Sequence, residues 1–232
     1  MRYLYFQSKT VHKAMEDLSV ELEHTLQTAE ILNDSRIDYI DILHNNDCGS
    51  VTTVQGKVEE FISLHQHESV IAFTDGTITE NRKSSYACTL IPLEVSDSVI
   101  KSSQVHSVMT CSLEAEMAAI ASAMQCAVEY YTHTELRKQR EKLFILTDCK
   151  SAINCIAWRA AMCHFHATMS RIRFTALALG DLNVVTVMAW IPGHSGIAWN
   201  EEADSMVKST LQKVPSMTYN VITFTTCKSL IS

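Results

Sequence analysis

The stretch WIPGHSGIAWNEEAD, residues 190–204, connects two predicted elements of regular structure. The apolar run over residues 184–191 predicts a β-strand, and residues 201–211 predict a closing α-helix. Two glycines flank His194 between them, which indicates a flexible loop. The stretch therefore predicts a strand, a loop that carries a histidine, and a helix whose first turn carries Asp204.

The segments before this stretch predict an α/β fold. Three short strands come first, then a helix, a continuous apolar strand typical of a parallel sheet, and two more helices. This order predicts a five-stranded mixed sheet, with three antiparallel strands followed by two parallel ones, flanked by helices. The predicted strands are residues 70–74, 86–92, 99–109 and 143–147, and the predicted helices are residues 112–131, a segment from residue 151, and residues 167–179.

The acidic charge lies in the first part of the chain. Residues 1–68 hold 5 Lys/Arg and 12 Asp/Glu, and the remainder holds 14 of each, within a net charge of -7. Residues 10–32 have the spacing of an amphipathic helix, so residues 1–68 are interpreted as an acidic, mainly helical N-terminal extension. Neither part has the basic excess of a protein that holds nucleic acid by charge alone. We expect the α/β domain at residues 69–213 and a C-terminal tail at residues 214–232.

The composition also bears on the compartment. The 8 cysteines include no CxxC pair, which favours reduced thiols over a disulfide framework. The N-terminus lacks the apolar stretch of a secretory signal, and no run approaches the roughly 18 apolar residues of a membrane span. We therefore expect an intracellular protein, in the cytoplasm or the nucleus, that has no membrane partner.

Four carboxylates stand at the ends of predicted elements. Asp75 closes the first strand, Glu116 lies in the first turn of the next helix, Asp148 ends the fourth strand and Asp204 lies in the first turn of the last helix. Strand ends and helix starts gather at one edge of an α/β sheet, so the four acids could meet there. Taken singly, such an acid is more often a turn former or a helix cap. Together they predict a site for hard divalent cations, which clamp a phosphodiester and point to phosphoryl chemistry.

Four sequence blocks occur in the order of one known family. Residues 190–204 match the pattern W-x-P-G-H-x-G-x-x-x-N-E-x-A-D, and residues 73–77 (FTDGT) contain a D-G-[ST] turn. Residues 115–120 (AEMAAI) match the helix start A-E-x-x-A-I, and residues 146–152 (LTDCKSA) are similar to a D-S-x-S-A stretch. Over residues 70–212 the chain resembles type 1 ribonuclease H domains, closest to those of non-LTR retrotransposon reverse transcriptases.

The resemblance implies a ribonuclease H-like fold and an endoribonuclease that hydrolyses the RNA strand of RNA/DNA hybrids. It implies two Mg²⁺ ions, with Mn²⁺ as the alternative, held by Asp75, Glu116, Asp148 and Asp204 as the catalytic acids. His194 would be a mobile helper that moves a proton or eases product release, a role for which histidine is chemically suited near neutral pH. A reverse transcriptase domain is the implied partner in the parent element.

Residues around the acids are interpreted as substrate contacts. Gly76 and Thr77 follow Asp75 in the turn, and Asn200 would steady the loop or contact the nucleic acid. Ser112 and Lys150 stand where cellular members often have Asn and Gln, which alters the expected grip on a hybrid. A lysine at position 150 could instead hold a phosphate.

Two other functions stay open at this level. A nuclease or transposase of the same fold could use similar carboxylates on DNA, although the motif from His194 to Asp204 argues against it. A domesticated retroelement fragment could act as a non-catalytic module that binds nucleic acid or protein. The presence of all five catalytic-type residues favours the enzyme.

Overall fold

The fold is taken from a computed structural model of the chain. The predicted helix at residues 10–32 and the predicted tail at residues 214–232 lie outside the residues whose structure is described. The elements below all belong to one compact unit, residues 35–232. The described residues are 37–43, 50–79, 83–92, 99–106, 109, 111–133, 141–158 and 165–213.

The described residues form six strands and five helices. The strands are β1 (Ile37–Ile40), β2 (Ser69–Ile78), β3 (Ser84–Ile91), β4 (Ile100–His106), β5 (Glu141–Thr147) and β6 (Val184–Trp190). The helices are α1 (Val51–His65), α2 (Ser112–His133), α3 (Lys150–Trp158), α4 (His166–Asp181) and α5 (Ala198–Lys213).

The strands form one mixed sheet in the order β1-β6-β5-β2-β3-β4. β2, β3 and β4 pair antiparallel in succession. β5 pairs parallel to β2, and β6 pairs parallel to β5. The predicted α/β fold, with three antiparallel strands followed by two parallel ones and flanking helices, is thereby confirmed.

The sheet has six strands where the sequence predicted five. The additional strand is β1, which pairs in parallel with residues 186–189 of β6. It lies in the segment that was interpreted as mainly helical, and α1 follows it. A strand of four residues is too short for its periodicity to be distinctive, and its partner lies near the other end of the chain.

Both faces of the sheet are covered by apolar layers. Leu143 and Ile145 of β5 point to the side of α2, α3 and α4. Phe144 and Leu146 point to the opposite side, where they pack with Val54 and Val58 of α1. The alternation follows from the two-residue period of a strand, and burial on both faces explains why the run from Leu143 to Leu146 is continuously apolar.

Helix α5 lies on the same side as α1. Thr89 of β3 is the register partner of Phe73, which belongs to the apolar layer beneath α1. The Thr89 hydroxyl contacts the sulfur of Met206 on α5 at 3.8 Å. Within the described residues, none of the helices is both long and apolar enough to cross a membrane.

Candidate active site

Three of the predicted carboxylates meet at the carboxyl edge of the parallel strands. Asp75 lies on β2 just beyond the point where its pairing with β5 ends, Asp148 directly follows β5, and Glu116 lies near the start of α2. One carboxylate oxygen from each lies within 4.8 Å of those of the other two. The edge is where open α/β sheets bind ligands. We call these three residues the inner group.

Gly76 allows the inner group to form. A Cβ at this position would lie 2.3 Å from the carbonyl carbon of Ala115 and 2.5 Å from the backbone nitrogen of Glu116. The strand and the helix start therefore touch backbone to backbone, as only glycine permits. The backbone N–H of Gly76 also donates to the carboxylates of both Asp75 and Glu116. Gly76 thus lies beneath the site, holding two acids together.

The inner carboxyls all have raised pKa values. Burial, then the charges of Asp148 and Asp204, raise the pKa of Asp75 to about 6. Burial, then the charges of Asp75 and Asp148, raise the pKa of Glu116 to about 9. Burial also raises the pKa of Asp148, against a hydrogen bond from Asn200. Each shift has the sign that a nearby cation would reverse.

The donor set of the inner group fits a divalent cation. The Oε2 atom of Glu116 is buried and has no hydrogen-bond partner among the described residues. A buried charged oxygen without a partner is unfavourable, and coordination to a cation satisfies it. Ligands that are all carboxylate oxygens suit hard ions such as Mg²⁺ or Mn²⁺. The acidic residues of this edge could therefore hold metal.

A second acidic cluster lies beside the inner group. His194, Glu201 and Asp204 each place one ligand atom within 4.8 Å of those of the other two. The charge of Asp204 raises the pKa of Asp75, so the two clusters are electrostatically coupled. We call these three residues the outer group. The structure thus assembles all five predicted catalytic residues at one edge.

Glu201 and Lys208 also belong to this edge, although neither was among the residues predicted from the sequence. Glu201 lies three residues before Asp204 on α5, a spacing that places two side chains on one face of a helix. Lys208 lies four residues after Asp204, and its Nζ atom is 2.5 Å from Asp204 Oδ2. The charge of Lys208 also lowers the pKa of Asp75. Helical spacing from Asp204 could have identified both residues.

The loop that carries His194 has a left-handed backbone. His194 has a φ of 52° and Gly196 a φ of 72°. Such a φ costs a non-glycine residue about 1–3 kcal/mol and persists where its surroundings hold it. The buried Ser195 hydroxyl donates to the Pro192 carbonyl at 2.6 Å, while His194 itself is exposed. The loop therefore presents His194 to solvent from a constrained turn.

The segment from Trp190 to Asn200 fixes Asp148. The indole N–H of Trp190 donates to the Asp148 carbonyl at 3.0 Å. The Asn200 side chain donates to the Asp148 carboxylate, and a Cβ on Gly193 would lie 2.5 Å from Asp148 Oδ2. Asn200 is only 3% exposed. It therefore steadies Asp148 from beneath, and little of its surface is open to a nucleic acid.

The other predicted substrate contacts surround the acids. Ser112 is the exposed first residue of α2, one turn before Glu116. Lys150 is the exposed first residue of α3, and its ammonium lies 5.2 Å from the ring centroid of Trp190. Thr77 is half-buried on β2, two residues after Asp75. Ser112 and Lys150 thus offer a hydroxyl and a positive charge next to the inner group.

Residues 67–212 match the RNase H family model. The chain belongs to the RNase H family. The RNase H match includes both acidic groups and every strand except β1. No curated protein sequence matches the chain.

Solved structures share this RNase H fold at low sequence identity. RNase H1 of the archaeon Halobacterium salinarum NRC-1 is 15% identical, with 63% of this chain and 99% of that chain covered and a TM-score of 0.46. The N-terminal RNase H domain of a Mycobacterium tuberculosis protein, fused to maltose binding protein, is 18% identical, with 61% and 97% covered and a TM-score of 0.45. A foamy viral protease-reverse transcriptase in complex with RNA/DNA hybrid is 14% identical, with 64% and 21% covered and a TM-score of 0.49.

Proposed function

We propose that this RNase H-family chain is an endoribonuclease that hydrolyses the RNA strand of RNA/DNA hybrids. One observation carries the proposal: oxygens of Asp75, Glu116 and Asp148 lie within 4.8 Å of one another, and a buried oxygen of Glu116 lacks a partner among the described residues. Such a cluster is stable in its charged form only with cations. The membership of the chain in the RNase H family supplies the reaction class.

Two Mg²⁺ ions, or Mn²⁺ in their place, are the proposed cofactors. The inner group and Asp204 are the proposed ligands, because their donor atoms are all carboxylate oxygens at one edge. When bound, such ions activate an attacking water and neutralise the charge that develops on the scissile phosphate. The chain's own task is to keep four carboxylates in place at that edge.

Glu116 links cation binding to proton release. Its pKa is raised to about 9, chiefly by burial, so without a cation the carboxyl is largely protonated at neutral pH. A carboxylate must lose its proton before it coordinates a metal. We therefore expect cation binding at pH 7 to release a proton to the buffer, which calorimetry in two buffers of different ionisation enthalpy would measure.

His194 is the proposed proton carrier. It is exposed, lies on a loop, and places a ring nitrogen within 4.8 Å of oxygens of Glu201 and Asp204. A ring nitrogen can take a proton near neutrality and give it to a departing oxygen. Because the imidazole is exposed, it can also exchange that proton with solvent.

Substrate recognition is assigned to three polar residues around the acids that are exposed or half-buried: Thr77, Ser112 and Lys150. Lys150 places a positive charge two residues from Asp148, where it would hold a phosphate of the backbone. Choosing RNA over DNA requires contacts with 2′-hydroxyl groups, and the hydroxyls of Ser112 and Thr77 are available next to the inner group. Asn200 supports Asp148 instead.

We further propose that the chain derives from a retroelement and works beside a reverse transcriptase domain. The four sequence blocks at residues 73–77, 115–120, 146–152 and 190–204 support this origin. Sequencing the transcript on both sides of this coding region tests it. A reverse transcriptase domain encoded in the same open reading frame would support the retroelement origin, and unrelated flanking sequence would contradict it.

A cleavage assay tests the nuclease. Purified protein is incubated with end-labelled RNA/DNA hybrid, duplex DNA and duplex RNA, each with Mg²⁺, Mn²⁺ or EDTA. We expect cleavage of the hybrid's RNA strand alone, products with 5′-phosphate and 3′-hydroxyl ends, and complete loss in EDTA. Folded protein that leaves the hybrid intact with both ions would support a non-catalytic binding module, and cleavage of duplex DNA would support a DNA nuclease.

A further inference from the structure

Helix α1 lies outside the part of the chain that matches the RNase H family, yet it contacts the loop that carries His194. The family match begins at residue 67, after α1 has ended. A Cβ placed on Gly196 would lie 3.7 Å from Gln55 Oε1 and 3.9 Å from Val51 Cγ1. The first turns of α1 therefore lie beside the loop, about one side-chain atom away from its backbone at Gly196.

Apolar packing joins α1 to both ends of the loop. Val54 is 5% exposed, and it shares one apolar cluster with Ile191, which precedes the loop, and Ile197, which follows it. Trp199, in the first turn of α5, packs against the same cluster. The helix and the segments before and after the loop therefore pack into one apolar cluster.

The first turns of α1 are held in a defined arrangement. Ser50 caps the helix, because its hydroxyl accepts the backbone N–H of Thr53 at 3.2 Å. The amide nitrogen of Gln55 donates to Glu59 Oε1 at 3.0 Å, which leaves Gln55 Oε1 on the side of Gly196. This ordered helix start lies beside Gly196, two residues after His194, whose φ of 52° must be held by its surroundings.

We propose that α1 is a positioning element for the His194 loop, acting through Val54 and Gln55. The helix contributes no group to the chemistry. It fixes the loop, and so the place of His194 beside Asp204. The proposal rests on the proposed nuclease function only for its kinetic test.

The structural test is amide hydrogen exchange in the full chain, without metal or substrate. The test variant is Val54→Ala with Gln55→Ala. The matched control is Val58→Ala, which removes the same two methyl groups from the same helix one turn further from the loop. We expect the test variant to speed exchange at residues 192–200 by about tenfold relative to β2 and β5, as in local opening. In Val58→Ala, the exchange rates of residues 192–200, β2 and β5 should all change by the same factor.

The kinetic test uses hybrid cleavage by the same proteins. We expect the test variant to lower kcat several-fold with KM unchanged, and to add nothing to the loss caused by His194→Ala. The conservative variant Val54→Ile, in which Gln55 is unchanged, should cleave with the wild-type kcat. Unchanged exchange at residues 192–200, equal effects of test and control, or additive losses with His194→Ala would each overturn the proposal. If the wild type cuts no hybrid, the nuclease proposal fails. The hydrogen-exchange comparison still decides whether α1 positions the His194 loop.

Discussion

The inner and outer groups of the site are built in different ways. The inner group stands on two strands and a helix start, and backbone contact at Gly76 leaves no room for a side chain between them. The outer group stands on α5 and on a loop that contains two left-handed residues, and its histidine is exposed. The inner acids therefore have fixed positions, while the outer group joins two acids of one helix to a solvent-exposed histidine.

This difference suggests a division of tasks. Raised pKa values show that the inner acids are unfavourable as charges until a cation joins them. His194 instead has access to solvent, which a group that exchanges protons requires. The two groups meet at Asp148, whose pKa is raised first by burial and also by the charge of Asp204 from the outer group. Substitutions in the inner group should therefore abolish hybrid cleavage, and substitutions in the loop that carries His194 should only reduce it.

The largest effect is expected for Asp75→Asn. The amide keeps the shape of the side chain but cannot replace its charge, so Mg²⁺-dependent cleavage should fall by more than the roughly 10²–10³-fold that the loss of one transition-state hydrogen bond costs. The measurement is single-turnover cleavage of labelled hybrid. Asp181→Asn, at an exposed position at the end of α4, should cleave like the wild type. Wild-type cleavage by Asp75→Asn would show that the inner group is not the site.

Gly76→Ala should be next in size, through stability as well as activity. The new Cβ meets backbone atoms at 2.3 and 2.5 Å. Because the backbone must shift, the free energy of unfolding should fall by about 1–3 kcal/mol. Gly56→Ala is the control, since nothing lies within 4 Å of its Cβ and alanine favours a helix interior by about 0.5–1 kcal/mol. Urea unfolding measures both variants, and wild-type stability of Gly76→Ala would contradict the described contact.

His194→Ala should have an intermediate effect. Loss of a positioned proton carrier should lower kcat by about 10²-fold, the lower end for such groups. Metal affinity, measured by calorimetry, should stay the same, since the four proposed acidic ligands remain. A loss as large as that of Asp75→Asn, together with weaker metal binding, would mean that the two groups do not divide the tasks.

The last expectation concerns stability as a function of pH, which is measured by unfolding and not by cleavage. Asp75 and Glu116 have pKa values raised to about 6 and about 9, so the folded state favours their protonated forms. Their contribution to the free energy of unfolding is complete at pH values below the ordinary carboxyl pKa near 4. It is lost as the pH rises through the folded-state pKa values of about 6 and about 9. Metal-free protein should therefore lose stability relative to Glu116→Gln between about pH 5 and pH 9, and Mg²⁺ should reduce that loss. Thermal unfolding at each pH measures it, and a gain with rising pH would have the wrong sign.

Local patterns predicted the elements that carry the site. The run at residues 143–147 predicted β5 because both faces of that strand are covered, and residues 70–74 predicted the buried part of β2. Strand ends were less accurate: the strand predicted at residues 86–92 omits Ser84 and Ser85, which begin β3. Ser85 is buried because its hydroxyl donates to the Gln104 carbonyl at 3.0 Å across the sheet, a partner that local polarity does not reveal.

Residue order along the chain was enough to predict the α/β fold, the edge at which the acids gather and the oxygen-rich character of the site, because hydrophobic periodicity and the ends of elements are local properties. Folding in three dimensions added the pairing of β1 with β6, the backbone contact at Gly76, the outer group with Glu201, and the packing of α1 on the loop. Each of these depends on a distance between residues on different elements, or on which face of a helix meets a neighbour. Such distances follow from packing, which no local pattern encodes.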